Sequence, residues 1–153
     1  MSLEVVMGPM FSGKSSFIDS AVRRRRSIGA SVLVVKPGSD IRYSSCSEVV
    51  THDGIRVACY TTNTGLMEIP HDITRHVDTI IIDEAQFFDD LVLFAKCEVE
   101  NFGRHVIVVG LDGDFNRKPF GQVLDCIPLA DRVTRLTALC SCCRDGTPGL
   151  FSH

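Results

Sequence analysis

The run Met7–Ser16, MGPMFSGKSS, constrains this chain more than any other feature. It holds Gly8-Pro9-Met10-Phe11-Ser12-Gly13-Lys14-Ser15, a complete G-x-x-x-x-G-K-[ST] match. Glycines at these places let the backbone curl so that several N–H groups face one anion. The lysine brings a positive charge to the β- and γ-phosphates, and the Ser15 hydroxyl is a hard oxygen suited to Mg²⁺. The motif has meaning only between a strand and a helix. Leu3–Met7 is apolar and strand-like. From Ser15 to about Ile28 the chain reads as a helix with Phe17, Ile18, Ala21 and Val22 on one face. The following helix points its positive dipole end at the same anion. The motif speaks for a nucleoside triphosphate and leaves its fate open.

A chain of 153 residues is the size of one domain. Its 44% apolar and 23% charged residues are ordinary for a soluble protein. The net charge of −3 argues against a general nucleic-acid surface. No apolar run is long enough to span a membrane. The first strand is expected to begin almost at Met1, with no room for a leader before it. Seven cysteines, three of them crowded at Cys140, Cys142 and Cys143, are an odd and uneven set. That usage fits a reducing, cytoplasmic setting better than a disulfide framework. Cys59, Cys97 and Cys126 have apolar neighbours and are expected to be packed thiols.

Further along, Ser31–Lys36, Asp78–Asp83 and His105–Leu111 are continuous apolar runs of the kind found in buried parallel strands. Arg23–Arg26 precedes the first of these and suits the negative end of a helix, with a nucleic-acid contact as the sharper alternative. Residues 37–53 are expected to form a loop, and Ile55–Tyr60 a short strand. Residues 65–76 stay unassigned because Pro70 interrupts them. A helix is expected from Asp89 or Asp90 to about Asn101, stopped by Gly103. Val123–Ala130 is weakly helical, and Arg132–Leu139 reads as a last strand. The pattern is α/β, with a parallel sheet whose ligands bind at the carboxyl ends of its strands. Asp112–Gly121 is a loop at such an end.

Asp83 closes an apolar strand and is the candidate Mg²⁺ carboxylate. Glu84 follows it. One acid for the metal and one to take the proton of an acceptor hydroxyl is a kinase arrangement; a base that activates water is an ATPase arrangement. The dipeptide leaves both open.

GPMFSGKSS, Asp40-Ile41-Arg42-Tyr43, Thr51-His52-Asp53-Gly54, IIIDEAQFF, LDGDFNRKPFG and LTALC-x-x-C occur in this order. Together they resemble the thymidine kinases of the cellular and poxvirus type, a zinc-containing, phosphate-loop class, over nearly the whole chain. The resemblance implies a parallel-sheet P-loop NTPase-like domain over residues 1–138, with helices on both faces. The start of a small zinc-binding and lid subdomain would follow over 139–153. It implies that Gly8, Pro9, Met10, Phe11, Ser12, Gly13, Lys14 and Ser15 cradle ATP, with Asp40, Ile41 and Arg42 against the nucleotide. Arg42 would steady the transferring phosphoryl group. Asp83 would serve Mg²⁺ with Ser15, within a cofactor-side stretch Asp83-Glu84-Ala85-Gln86, and Glu84 would be the base for the sugar 5′-hydroxyl. Phe115 would pack on thymine, while Met10, Phe87, Leu111 and Phe120 shape the pocket. Cys140 and Cys143 would be half of a structural Zn²⁺ site.

The implied activity is transfer of the ATP γ-phosphate to thymidine, with deoxyuridine as a second substrate. A homotetramer and feedback inhibition by thymidine triphosphate are implied too, with neither a nucleic-acid nor a membrane partner. Family members carry a closing loop and a second ligand pair beyond the first; here neither is found before His153, so the chain is expected to be truncated and its zinc site incomplete. Ala85 and Asp114 depart locally from the pattern. Two other readings stand beside this one: an ATPase acting on nucleic acid, since Asp83-Glu84-Ala85-Gln86 resembles a helicase box, and a nucleotide-binding module with little turnover.

Overall fold

The computed structural model describes residues 1–38, 46–50 and 56–152, with 46–50 and 56–58 described by their backbone. Strand β1 (Ser2–Met7) leads through the phosphate loop into helix α1 (Lys14–Ser27) and then β2 (Val32–Pro37). Next come β3 (Cys46–Val50), β4 (Arg56–Thr62), a one-turn helix α2 (His71–Thr74) and β5 (Thr79–Ile82). A 3₁₀ turn (Ala85–Phe87), helix α3 (Leu91–Glu100) and β6 (His105–Gly110) follow. A second 3₁₀ segment (Leu124–Leu129) precedes β7 (Arg132–Arg135) and the short pair β8 (Ala138–Leu139) and β9 (Pro148–Gly149).

The main sheet has the order β3-β4-β2-β5-β6-β1-β7. Every pairing in it is parallel except β3 with β4. The apolar runs read from the sequence became its centre: every residue of β5 and of β6 is buried. Strands covered on both faces have no polar side to show, which is why these runs do not alternate. On one face Ile18, Ala21 and Val22 of α1 pack on Val6, Val34, Ile81 and Ile107. On the other, Leu91, Phe94 and Ala95 of α3 pack on Leu33, Ile80, Ile82 and Val108. Helices thus cover both faces.

Three expectations need correction. Residues 37–53 are not all loop, because β3 pairs antiparallel with β4 in register Cys46↔Tyr60 to Val50↔Arg56. As the edge strand, β3 has a neighbour on one side only, and its sequence CSEVV carries no continuous apolar run. The single last strand is two: β7 follows β1, and after Leu136 donates its N–H to the Met7 carbonyl at 2.8 Å the chain turns away to pair β8 with β9. The weak helix at 123–130 is a 3₁₀ segment carrying Pro128, and α2 begins directly after Pro70. Proline lacks the N–H that a longer helix interior needs.

Candidate functional site

Strands β5, β6 and β1 are neighbours in the sheet. Their carboxyl ends therefore bring three loops together: Asp83-Glu84, Leu111-Asp112 and the phosphate loop.

The loop is shaped by close approaches. A Cβ at Gly8 would come within 2.5 Å of the Leu136 carbonyl oxygen, so only glycine fits. Gly13 has φ 87°, the left-handed region, at the start of α1. No side chain caps this helix and its first turn holds no acid, so its N–H groups are available to an anion. Ser12 Oγ is buried without a partner among the described residues. Lys14 Nζ donates to the carbonyls of Gly8 at 3.0 Å and Pro9 at 2.8 Å, lying over its own loop. Burial lowers its pKa, while the charges of Glu84, Asp83 and Asp112 support the ammonium. An uncapped helix, an orphaned hydroxyl and a folded-back lysine together fit a phosphate group.

At the end of β5, Asp83 Oδ1 accepts the Glu84 N–H at 2.9 Å, and Oδ2 lies 3.4 Å from Lys36 Nζ on neighbouring β2. Burial raises the Asp83 pKa; Lys36 opposes this and the Glu84 charge adds to it. Lys36 therefore favours the ionised carboxylate a divalent metal needs, and with the exposed Ser15 hydroxyl the donors are hard oxygens of the kind Mg²⁺ takes. Glu84 itself turns into the left-handed region at φ 51°. Gln86 then reaches back: its Nε2 donates to Glu84 Oε2 at 2.6 Å, and its Oε1 accepts the Leu111 N–H at 3.0 Å.

A cleft of about 650 Å³ joins these groups to an apolar wall. It is lined by residues 10–15 of the loop together with Glu84, Gln86, Phe87 and Leu111. Met10, Phe87 and Leu111 therefore line one cleft with the charged groups. Phe120 supports Phe87 edge-on, with ring centroids 5.4 Å apart. Phe115 does not join them. It is 75% exposed, at the tip of a turn closed by the Gly113–Pro119 bridge and by Asp114 Oδ1, which accepts the Asn116 and Lys118 N–H groups. Ala85 is fully buried. Asp40, Ile41 and Arg42, with Tyr43 and residues 51–54, lie outside the described residues, as does His153.

Beyond the main sheet, β8 and β9 frame a tight turn. Cys140 donates its N–H to the Thr147 carbonyl at 2.8 Å, and Cys140 Sγ accepts the Cys143 N–H at 3.5 Å. Backbone N–H groups of Cys143 and Cys142 lower the Cys140 pKa, and its thiolate in turn raises that of Cys143. Such N–H···S contacts suit a metal-binding thiolate. A closed zinc site needs four ligands, and among the described residues no group of three His, Cys, Asp or Glu is placed to hold a metal.

The sequence reading missed Lys36 and the Arg135–Asp112 pair, whose Nε–Oδ2 distance is 3.1 Å. The available signal was a charge closing an apolar strand, as at Lys36, or just beyond one, as at Asp112. Ser152 Oγ also accepts the Met10 N–H at 2.9 Å, and Arg117 lies 4.6 Å from the Phe151 ring centroid. Both contacts join segments too far apart in sequence to be read locally.

A family model described as thymidine kinase matches residues 1–148. Thymidine kinase a of Arabidopsis thaliana is 47% identical over 146 residues, covering 93% of this chain and 60% of that protein. The thymidine kinase of Oryza sativa subsp. japonica is 43% identical over 145 residues, covering 92% and 53%. That of Mesomycoplasma hyopneumoniae strain 7448 is 39% identical over 143 residues, covering 93% and 77%. The chain thus spans 60% and 53% of the length of the two plant relatives.

Proposed function

This chain belongs to the thymidine kinase family, and from that premise we propose that it transfers the γ-phosphoryl group of ATP to the 5′-hydroxyl of thymidine, giving thymidine monophosphate. The observation that carries the reading is one cleft in which the phosphate loop, Glu84 and an apolar wall of Met10, Phe87 and Leu111 meet. A phosphate cradle beside a flat apolar surface suits the two ends of a nucleoside phosphorylation. A helicase-like ATPase does not need the second.

In this reading the N–H groups of the loop and the start of α1 hold the ATP phosphates. Lys14 leaves the carbonyls of Gly8 and Pro9 to neutralise charge on the γ-phosphoryl oxygens. Asp83 and Ser15 would hold Mg²⁺, which would supply charge neutralisation to the phosphates. Glu84 accepts the proton of the 5′-hydroxyl as its oxygen attacks phosphorus. Met10, Phe87 and Leu111 seat the base, and Phe115 swings onto it from its exposed turn. Arg42 steadies the transferring group. Most of the rate then comes from positioning and preorganised charge.

Family membership also supports deoxyuridine as a second substrate, feedback inhibition by thymidine triphosphate, a homotetramer and a cytoplasmic setting. Cys140 and Cys143 supply two of the four thiolates or imidazoles a structural zinc requires. The test of the main reading is formation of labelled thymidine monophosphate from γ-labelled ATP. No labelled product from a folded, ATP-binding chain would overturn it.

A further inference from the structure

Gln86 is 97% buried, since only 3% of its surface is exposed, yet it belongs to the turn that carries the reacting carboxylate. Both ends of its amide are engaged, one on Glu84 Oε2 and one on the Leu111 N–H. The amide cannot be reversed: that would set its oxygen against a carboxylate and its NH₂ against an N–H. A Cβ at Gly110 would come within 2.8 Å of Gln86 Oε1, and one at Gly121 would strike the Gln86 backbone carbonyl. Gly110 therefore makes room for this side chain, and Gly121 for the backbone that carries it. Glu84, by contrast, stands on a left-handed backbone, a conformation that a non-glycine residue holds only when its surroundings fix it.

We infer that Gln86 is a positioning residue for Glu84: its amide fixes one carboxylate oxygen, turns the other toward the acceptor hydroxyl, and ties both to the Leu111 wall of the cleft. The inference rests on the proposed role of Glu84 as base. A donor at 2.6 Å on an ionised oxygen is a charge-assisted hydrogen bond, strong enough to select one rotamer. The other amide end is anchored on the backbone of Leu111, and Phe87 is the next residue along the turn. The surface that seats the base and the carboxylate that takes the proton are then parts of one hydrogen-bonded unit. A nucleoside whose base does not seat properly presents its hydroxyl to a carboxylate that does not follow it. Gln86 would thus express base selectivity in kcat more than in binding.

The test is a double-mutant cycle on thymidine phosphorylation, with kcat and KM measured separately. Gln86→Glu keeps the volume and the acceptor for Leu111 but loses the donor; Gln86→Leu loses both. Each is made alone and together with Glu84→Gln. If Gln86 acts through Glu84, both single variants lower kcat about 10–10²-fold with KM for ATP changed less than about twofold, and with Glu84→Gln already present they cost less than about threefold more. Losses that multiply independently, an undiminished kcat, or a loss confined to Gln86→Leu each overturn the inference. Should Gln86→Leu fail to fold, Gln86→Glu decides. Full turnover in Glu84→Gln overturns the base assignment and the inference with it, whereas a large Glu84→Gln loss with multiplying Gln86 effects overturns the inference alone. A readout free of activity is the side-chain NH₂ of Gln86 in ¹⁵N spectra, expected to exchange slowly and to shift in Glu84→Gln. Unshifted resonances would also overturn it.

Discussion

The two ends of the parallel sheet use charge in opposite ways. At the amino end, the charged groups are tied to one another or to backbone, although Thr79 Oγ1 and His105 Nε2 are buried without a partner among the described residues. Glu98 and Arg104 form a buried pair, and Arg104 Nε also donates to the Val77 carbonyl at 3.2 Å. Asp131 accepts the Leu3 N–H at 2.8 Å, Asp78 accepts the Ser31 N–H at 2.8 Å, and His105 bonds Ser2. At the carboxyl end, Lys14 rests on its own loop carbonyls, Lys36 faces Asp83 at 3.4 Å, and Ser12 Oγ has no partner among the described residues. Cavity size does not separate the two ends. The amino-end cleft, at about 820 Å³, is larger than the 650 Å³ at the phosphate loop. What differs is whether the groups are spent on the fold or held ready for a ligand. Substitutions at the carboxyl end should therefore change turnover and leave melting alone; those at the amino end should do the reverse.

The largest effect should come from Lys14→Ala. Turnover is expected to fall about 10³-fold or more, the scale for losing a charge that stabilises the transferring phosphoryl group. The melting temperature should hold. Parallel activity and melting curves check this, and normal turnover in the folded variant would remove the phosphate-loop assignment.

Arg104→Met is the mirror experiment. Leaving Glu98 buried without its partner should cost about 3–5 kcal/mol of stability, a fall in melting temperature of about 10 °C for a domain of this size. The kcat of the folded fraction should match wild type. A kcat loss beyond about threefold would break the separation between the two ends.

Glu84→Gln should lower turnover about 10²-fold, the usual contribution of a general base, with ATP affinity kept. If Mg²⁺ affinity collapses while turnover stays, the roles of Asp83 and Glu84 are exchanged.

His105 gives the amino end a pH signature. Burial, with help from the nearby Arg25 and N-terminal charges, lowers its pKa from 6.5 to about 4. The folded state thus binds fewer protons than the unfolded state between these values. Stability from this group is complete above pH 6.5 and is lost as pH falls toward 4, by about 1–2 kcal/mol at pH 5. In urea titrations His105→Gln should flatten that dependence. A slope unchanged by the substitution would reassign it.

Phe115→Ala should have the smallest effect. An aromatic face lost from a planar base costs about 1–1.5 kcal/mol, or roughly tenfold in KM for thymidine. At 75% exposure the ring contributes little to packing, so the melting temperature should barely move. An unchanged KM would leave Phe115 outside the nucleoside site.

Much of the carboxyl end was legible because its signals are local. The glycines, Lys14 and Ser15 lie within eight consecutive residues, and Asp83-Glu84 closes an apolar strand. The wall residues Met10, Phe87, Leu111 and Phe120 came from resemblance, since an isolated Phe or Leu reads as core. Phe115 shows the limit of that route: the motif supplied its identity, but the turn geometry left the ring in solvent. The amino end was almost illegible, because Glu98–Arg104 and Asp131–Leu3 are partnerships between segments with no shared pattern.

By itself, the sequence determined the strand–loop–helix unit at residues 2–27, the buried strands β2, β5 and β6, and the two acids after β5. Apolar runs, glycine spacing and helix periodicity act over a few residues, so the chain carries them wherever it goes. Only the tertiary structure decided that β5, β6 and β1 lie side by side. It alone decided that Lys36 meets Asp83, and that the Gln86 amide spans from Glu84 to Leu111. These depend on strand order and on where Gly110 and Gly121 let the side chain and backbone of Gln86 approach. Burial then fixes the outcome, because a polar group closed off from water must find its partner wherever the fold has put one.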